Sequence, residues 1–232
     1  MAARATLPPP LPPERRTVGQ LVAETIRLYG DRFGRALLLG VAPAVLALTL
    51  GGVDRSLWLV LMPTVGGVVL SASYVGAVAI AAGVRFDRRR WGLALVAGVL
   101  AFAPFPFLIL LFILPGLAWL ALVGLAVPVV MLEDRPLRAA FGRAITLARA
   151  DFVHVLGSLA TLGIVILLTQ TMLVVLLHGQ GDQTLRIAAF VAFIVLWPLM
   201  FLGAALVYFD QAARAAAASA GGVTDGRART PG

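Results

Sequence analysis

The chain has 232 residues, 60% hydrophobic and only 13% charged, with a mean hydropathy of +0.96; nineteen arginines, no lysine and eleven acids give a net charge of +8. This composition excludes a soluble globular domain, which needs a far more polar surface, and the lack of cysteine excludes disulfides, thiolate nucleophiles and thiolate metal sites. The chain reads as an all-α, polytopic helical membrane protein, and its basic excess is assigned to an anionic membrane leaflet rather than to nucleic acid.

Residues 1–16 contain "LPPPLPPERR" and are expected to form a disordered tail, because their prolines favour polyproline II, which buries nothing. No long apolar run follows directly, so the tail does not read as a cleaved signal. The next stretch, "TVGQLVAETIRLYGDRF", places Val18, Leu21, Val22, Thr25, Ile26, Tyr29 and Phe33 at helical spacing behind Thr17, a suitable N-cap. It predicts an amphipathic helix over 17–33. Apolar runs of about 20 residues, enough to cross roughly 30 Å of hydrocarbon, then follow at 36–53 and 57–84.

Residues 91–132 hold no charge, and as one helix they would be about 63 Å long, so they are divided into spans at 91–113 and 115–132. The turn is placed at "LPG", Leu114 to Gly116, with Pro104 and Pro106 kinking the third span rather than ending it. Glu133 and Asp134 come next. Then "PLRAAFGRAITLARA", 136–150, sets Leu137, Phe141, Ala144, Ile145 and Ala148 opposite Arg138, Arg143 and Arg149, with Pro136 suited to the first helical turn. Spans at 152–177 and 187–209 complete the set. Residues 215–232 are expected to be a disordered tail in which the last helix frays at Gly221 and Gly222.

Arginine placement checks this count of six. From the N-terminus the segments between spans hold six, one, four, none, four, one and three arginines, so alternate segments collect seventeen on one side and two on the other. The positive-inside rule places both termini, and both amphipathic helices, on the cytoplasmic side of the cell's inner membrane. There the helices are expected to lie at the interface with their arginines toward anionic lipid. The two also resemble each other: Ile26, Leu28 and Phe33 match Ile145, Leu147 and Phe152. A parallel internal repeat would explain the match, as would chance among apolar residues.

Little chemistry is on offer. His154 and His178 are separated by on the order of 36 Å of helix and cannot share a metal or a proton. His154 reads as a solvated interfacial histidine in preference to a switch or general base beside Asp151. No ionisable residue falls within an assigned span, which argues against an ion-coupled carrier. Ser71, Ser73, Tyr74, Thr169, Gln170 and Thr171 are polar groups within spans, and helix packing is the preferred reading of them. No nucleotide loop, nucleophile elbow or zinc motif is present, and no cofactor is expected.

The segment "LPGLAWLALVGLAVPVVMLEDRPLRAAFGRAITLARADF", the N-terminal "TVGQLVAETIRLYGDRF" and the closing "YFDQAAR" together resemble a family of bacterial and archaeal integral membrane proteins related to the membrane domain of glycerophosphodiester phosphodiesterases. Pro115, Gly116, Pro128, Glu133, Ala140, Leu147 and Phe152 fit the central pattern, while Phe141, Ala144 and Ala150 depart from it. In fused relatives a separate soluble barrel carries the catalysis. The resemblance therefore implies residues 17–214 as one membrane domain, with Asp210 in its closing motif, and no activity.

Asp134 is placed to cap the 136–150 helix, and Glu133 to pair with Arg135, Arg138 or an arginine of the 85–90 loop. A structural clamp is preferred to a catalytic pair. The expected function is that of a membrane-embedded accessory or anchoring module without catalysis, engaging anionic lipid or a partner protein through its cytoplasmic arginines. A transporter, or transporter subunit, for a lipid-like or small amphiphilic solute is the alternative.

Overall fold

The computed structural model describes residues 12, 15–84 and 87–227, with side chains as far as Ser219. The disorder expected of residues 1–11, 13–14 and 228–232 lies outside the described residues. Everything regular in the described residues is helical. Eleven α-helices occur in order: α1 (Val18–Asp31), α2 (Phe33–Leu50), α3 (Arg55–Leu61), α4 (Gly67–Ala82), α5 (Arg88–Phe102), α6 (Phe105–Leu111), α7 (Ile113–Val123), α8 (Ala126–Glu133), α9 (Leu137–Ala150), α10 (Phe152–Leu176) and α11 (Asp182–Arg227).

Six stretches are long and apolar enough to cross a membrane: Phe33–Leu50, Arg55–Ala82, Arg88–Leu111, Ile113–Glu133, Phe152–Leu176 and Asp182–Ser219. The chain is a multi-pass helical membrane protein. Helices suit this setting because hydrocarbon offers no hydrogen bonds, so each backbone group must find its partner inside its own segment.

Proline sets the breaks within spans. Pro63 cannot donate, and the second span relaxes into a π-helical turn, Met62–Gly66, between α3 and α4. Pro104 and Pro106 separate α5 from α6 without ending the third span, and the indole of Trp119 donates to the Ala101 carbonyl beside the break at 2.8 Å. In the fourth span, Pro128 leaves the Gly124 carbonyl without its helical donor, and the chain turns at Gly124 and Leu125 between α7 and α8. The expected turn at "LPG" falls slightly earlier. Phe112 is extended (φ −167°, ψ 154°), and Pro115 takes its place in the first turn of α7, where a missing N–H is harmless.

Close helix approaches occur at small residues. A Cβ on Gly98 of α5 would fall 2.2 Å from the Ser71 hydroxyl of α4, which donates to the Leu95 carbonyl; one on Gly203 of α11 would fall 2.2 Å from Leu162 of α10. The tightest contact joins α2 to α11. Pro198 removes the amide that would bond the Ile194 carbonyl, and Gly40 packs against that freed oxygen, 2.1 Å from where a Cβ would stand.

α1 and α9 coincide under a shift of 119 residues at both ends (Val18 to Leu137, Asp31 to Ala150), and each passes to the next span through a single residue, Arg32 or Asp151. Their buried faces share the register too: Leu21, Thr25 and Tyr29 answer to Ala140, Ala144 and Ala148. Both helices pack these faces onto the bundle, α1 against α10 and α11, α9 against α7, α8 and α11.

The C-terminal expectation is corrected. Residues 215–227 continue α11, because the alanine-rich run beginning at Ala212 is strongly helix-forming and carries through Gly221 and Gly222.

Gly40→Ala should lower stability by about 1–3 kcal/mol through overpacking against Ile194, whereas Gly34→Ala, which meets nothing within 4 Å, should cost nothing. Thermal unfolding in detergent, followed by circular dichroism, checks both.

Candidate functional site

Most charged groups of the described residues gather at one end of the bundle, where α1 begins, α8 exits, and α9 gives way to α10. The centre of this layer is a turn and a half of α11, Tyr208 to Arg214. Asp210 has no exposed surface, and its Oδ1 accepts from Arg16 Nη1 at 3.1 Å. Arg16 also lies 4.0 Å from Glu24. One turn further, Arg214 donates to Asp151 at 2.6 Å and to the Arg16 carbonyl at 2.8 Å. His154 fits between the two, its Nε2 3.8 Å from Asp210 Oδ2 and 3.4 Å from Arg214. The side chain of His154 is only 9% exposed, so the expectation of a solvated histidine is corrected: α11 covers it.

A second group adjoins the first. Glu133 accepts from Arg135 at 2.8 Å, from Arg143 at 3.4 Å and from the Tyr208 hydroxyl at 3.2 Å. The arginine from the preceding loop, Arg90, goes instead to Asp134, at 3.0 Å. Asp134 does not cap α9, which has Pro136 at its N-cap and no side-chain cap. It closes α8 in the left-handed region (φ 52°, ψ 40°), a conformation that Asp tolerates better than most residues. The two acids thus go to different arginines on different elements.

Of the three α9 arginines, Arg143 is held by Glu133. Arg138 and Arg149 are exposed and have no carboxylate partner among the described residues. Eleven residues apart, they share the face of α9 turned away from the bundle. Arg88 and Arg89, at the start of α5, are likewise exposed and free of ion pairs among the described residues. Thr17 caps α1 through a box with Gln20.

Sequence reasoning missed Arg16, which sits at the end of a proline-rich stretch, and gave Arg214 no role beyond the closing motif. Arg16's position immediately before a capped helix start was the one available signal. Of the span polar groups, Ser71 bonds across to α5 and Tyr74 is buried between Phe102 and Phe201, whereas Thr169 and Thr171 are exposed and the Thr169 hydroxyl donates to the Val165 carbonyl of its own helix. Among the described residues no group of three or more His, Cys, Asp or Glu could hold a metal.

No family model, curated protein or solved structure matches the chain.

Asp210→Asn should destabilise the protein by about 3 kcal/mol, since it leaves Arg16 in a mostly buried site with only the more distant Glu24 as a carboxylate neighbour. Arg16→Gln should cost a similar amount, and the double variant less than the sum of the two. Asp134→Asn, which breaks a pair exposed on both sides, should cost under about 1 kcal/mol. Unfolding of the four proteins in detergent gives the comparison.

Proposed function

We propose that this chain is a non-enzymatic, multi-pass protein of the cytoplasmic membrane, with both termini in the cytoplasm, which works as a membrane-embedded anchoring module binding anionic headgroups through its arginines. The observation that carries this reading is the division of the arginines at the polar end. Arg16, Arg90, Arg135, Arg143 and Arg214 are consumed by carboxylates, while Arg88, Arg89, Arg138 and Arg149, with Arg15, Arg27, Arg32 and Arg35 around α1, stand exposed without ion pairs among the described residues. The paired set holds the helices together. The free set is left for phosphate, at roughly 1 kcal/mol per arginine near an anionic surface.

The seventeen-to-two distribution of arginine supports the orientation. The outward faces of α1 and α9, which carry Arg27, Arg138 and Arg149, would then run along the headgroup layer. The likeness to the membrane domain of glycerophosphodiester phosphodiesterases rests on the quoted motifs alone, and it supports a module that anchors or assists rather than one that reacts.

Because the chain lacks cysteine, single-cysteine variants report orientation directly. In intact cells a membrane-impermeant maleimide should label Gly52→Cys at once and Ala139→Cys only after permeabilisation; the reverse pattern would invert the topology. Replacing Arg88, Arg89, Arg138 and Arg149 with Gln should lower retention of phosphatidylglycerol, measured by native mass spectrometry, by roughly 1 kcal/mol per arginine. Unchanged retention in a folded protein would mean that these arginines only set topology.

A further inference from the structure

At the end of the bundle away from the ion pairs, α2 and α11 separate. They meet tightly where Gly40 packs on the Ile194 carbonyl. Beyond that crossing a cleft of about 390 Å³ opens between residues 44–52 and 186–193. Ala44 and Gly51 keep the α2 wall low, and Leu48, Phe190 and Phe193 make the rest apolar. The Phe193 ring is braced by stacking on Trp197, with centroids 5.6 Å apart and planes 12° from parallel. Arg186 stands at the mouth.

This arginine is one of only two in the segments at that end, whose remaining basic side chain is His178. It is exposed and makes no ion pair among the described residues, although Asp182 lies one turn earlier on the same helix. The other carboxylate of that end, Asp54, is engaged in capping α3, where it accepts from the amide and hydroxyl of Ser56; these bonds hold its carboxyl below the usual range. A long apolar slot with one uncompensated cation at its rim is complementary to an amphiphile with an anionic head.

We propose that the cleft binds a phospholipid with an anionic headgroup, one acyl chain lying between α2 and α11 and the phosphate on Arg186. The volume is at the lower end of the roughly 300–1,000 Å³ common for ligand sites. It suits a chain better than a partner helix, for which a single turn of about 10 Å diameter and 5.4 Å pitch already fills on the order of 420 Å³. The site lies at the opposite end of the bundle from Arg88, Arg89, Arg138 and Arg149, and it stands whether or not those arginines bind lipid.

Native mass spectrometry of the full chain, titrated with phosphatidylglycerol in detergent, tests the assignment. Arg186→Gln should weaken the tightest binding event about fivefold, the weight of one arginine at an anionic headgroup, while Arg55→Gln, at the same end, should leave it unchanged. Filling the slot with Ala189→Phe, or with Ala47→Leu should the first variant misfold, should also abolish that event. A single-chain lysophosphatidylglycerol should compete for it, and inorganic phosphate should not. Equal loss in Arg186→Gln and Arg55→Gln would overturn the proposal. So would displacement by phosphate, which would reveal a bare anion site, or full binding by a folded, cleft-filled variant.

Discussion

The carboxylate of Asp210 is wholly enclosed, and a buried carboxylate costs several kcal/mol unless a cation and hydrogen bonds compensate it. Its cation, Arg16, comes from 194 positions earlier in the chain. The N-terminal segment must therefore lie across the end of α11, and α1 starts one residue later at the Thr17 cap, which fixes its path over α10 and α11. Arg214, one turn beyond Asp210, binds the backbone of that same Arg16 and reaches Asp151 at the α9–α10 junction. Tyr208, two residues before Asp210, holds Glu133 at the α8 exit. Three remote segments are thus tied to seven residues of one helix. In a membrane this matters more than in water, since lipid is as apolar as leucine and supplies little drive for helices to choose one another.

What could be read from sequence follows from how local each cause is. The six spans were visible because charge is excluded from them over lengths that the bilayer dictates, and the division of 91–132 was forced by length alone. Arg90–Asp134, Tyr208–Glu133 and Arg214–Asp151 bring the second loop, the fourth-span exit and the C-terminal end of the sixth span to one end of the bundle. That meeting requires an even number of crossings between them. The pairings themselves were not legible, because Arg16 beside prolines looks like tail until its distant partner is known. Asp134 illustrates a different limit. Between α8 and α9 only three residues are available, and whether an aspartate there begins one helix or ends the other depends on the path of the chain, which Arg90 settles from outside.

The correspondence of α1 with α9 now rests on more than three matched letters. Shared helix ends, a shared single-residue junction to the following span and a shared buried register are independent properties, each of which a chance match would have to meet separately. Within each unit the next two spans also pack on one another, α2 on α4 and α10 on α11. Between units the likeness ends. α1 lies on α10 and α11, whereas α9 lies on α7, α8 and α11 rather than on the exchanged partners α2 and α4 as a two-fold relation would require. The buried faces differ in size as well: alanines at 140, 144 and 148 stand where α1 has Leu21, Thr25 and Tyr29.

The two ends of the bundle are held by different physics. One is cross-linked by charge-assisted bonds between elements far apart in sequence. At the other, Asp54 bonds only within its own turn, the turn around Phe112 is apolar and exposed, and α10 beyond Leu162 leaves Ile164, Leu167, Leu168, Met172 and Val175 largely uncovered. In water such surface would collapse onto its neighbours; in hydrocarbon it gains little by doing so. The helices are free to diverge there, and for α2 and α11 the cleft opens beyond the tight contact of Gly40 with the Ile194 carbonyl, near the middle of α2, which Pro198 and a missing side chain permit. Divergence from a fixed crossing creates a wedge that protein atoms do not fill. Acyl chains are the material at hand to fill it, so lipid at this end occupies the structural place that ion pairs hold at the other.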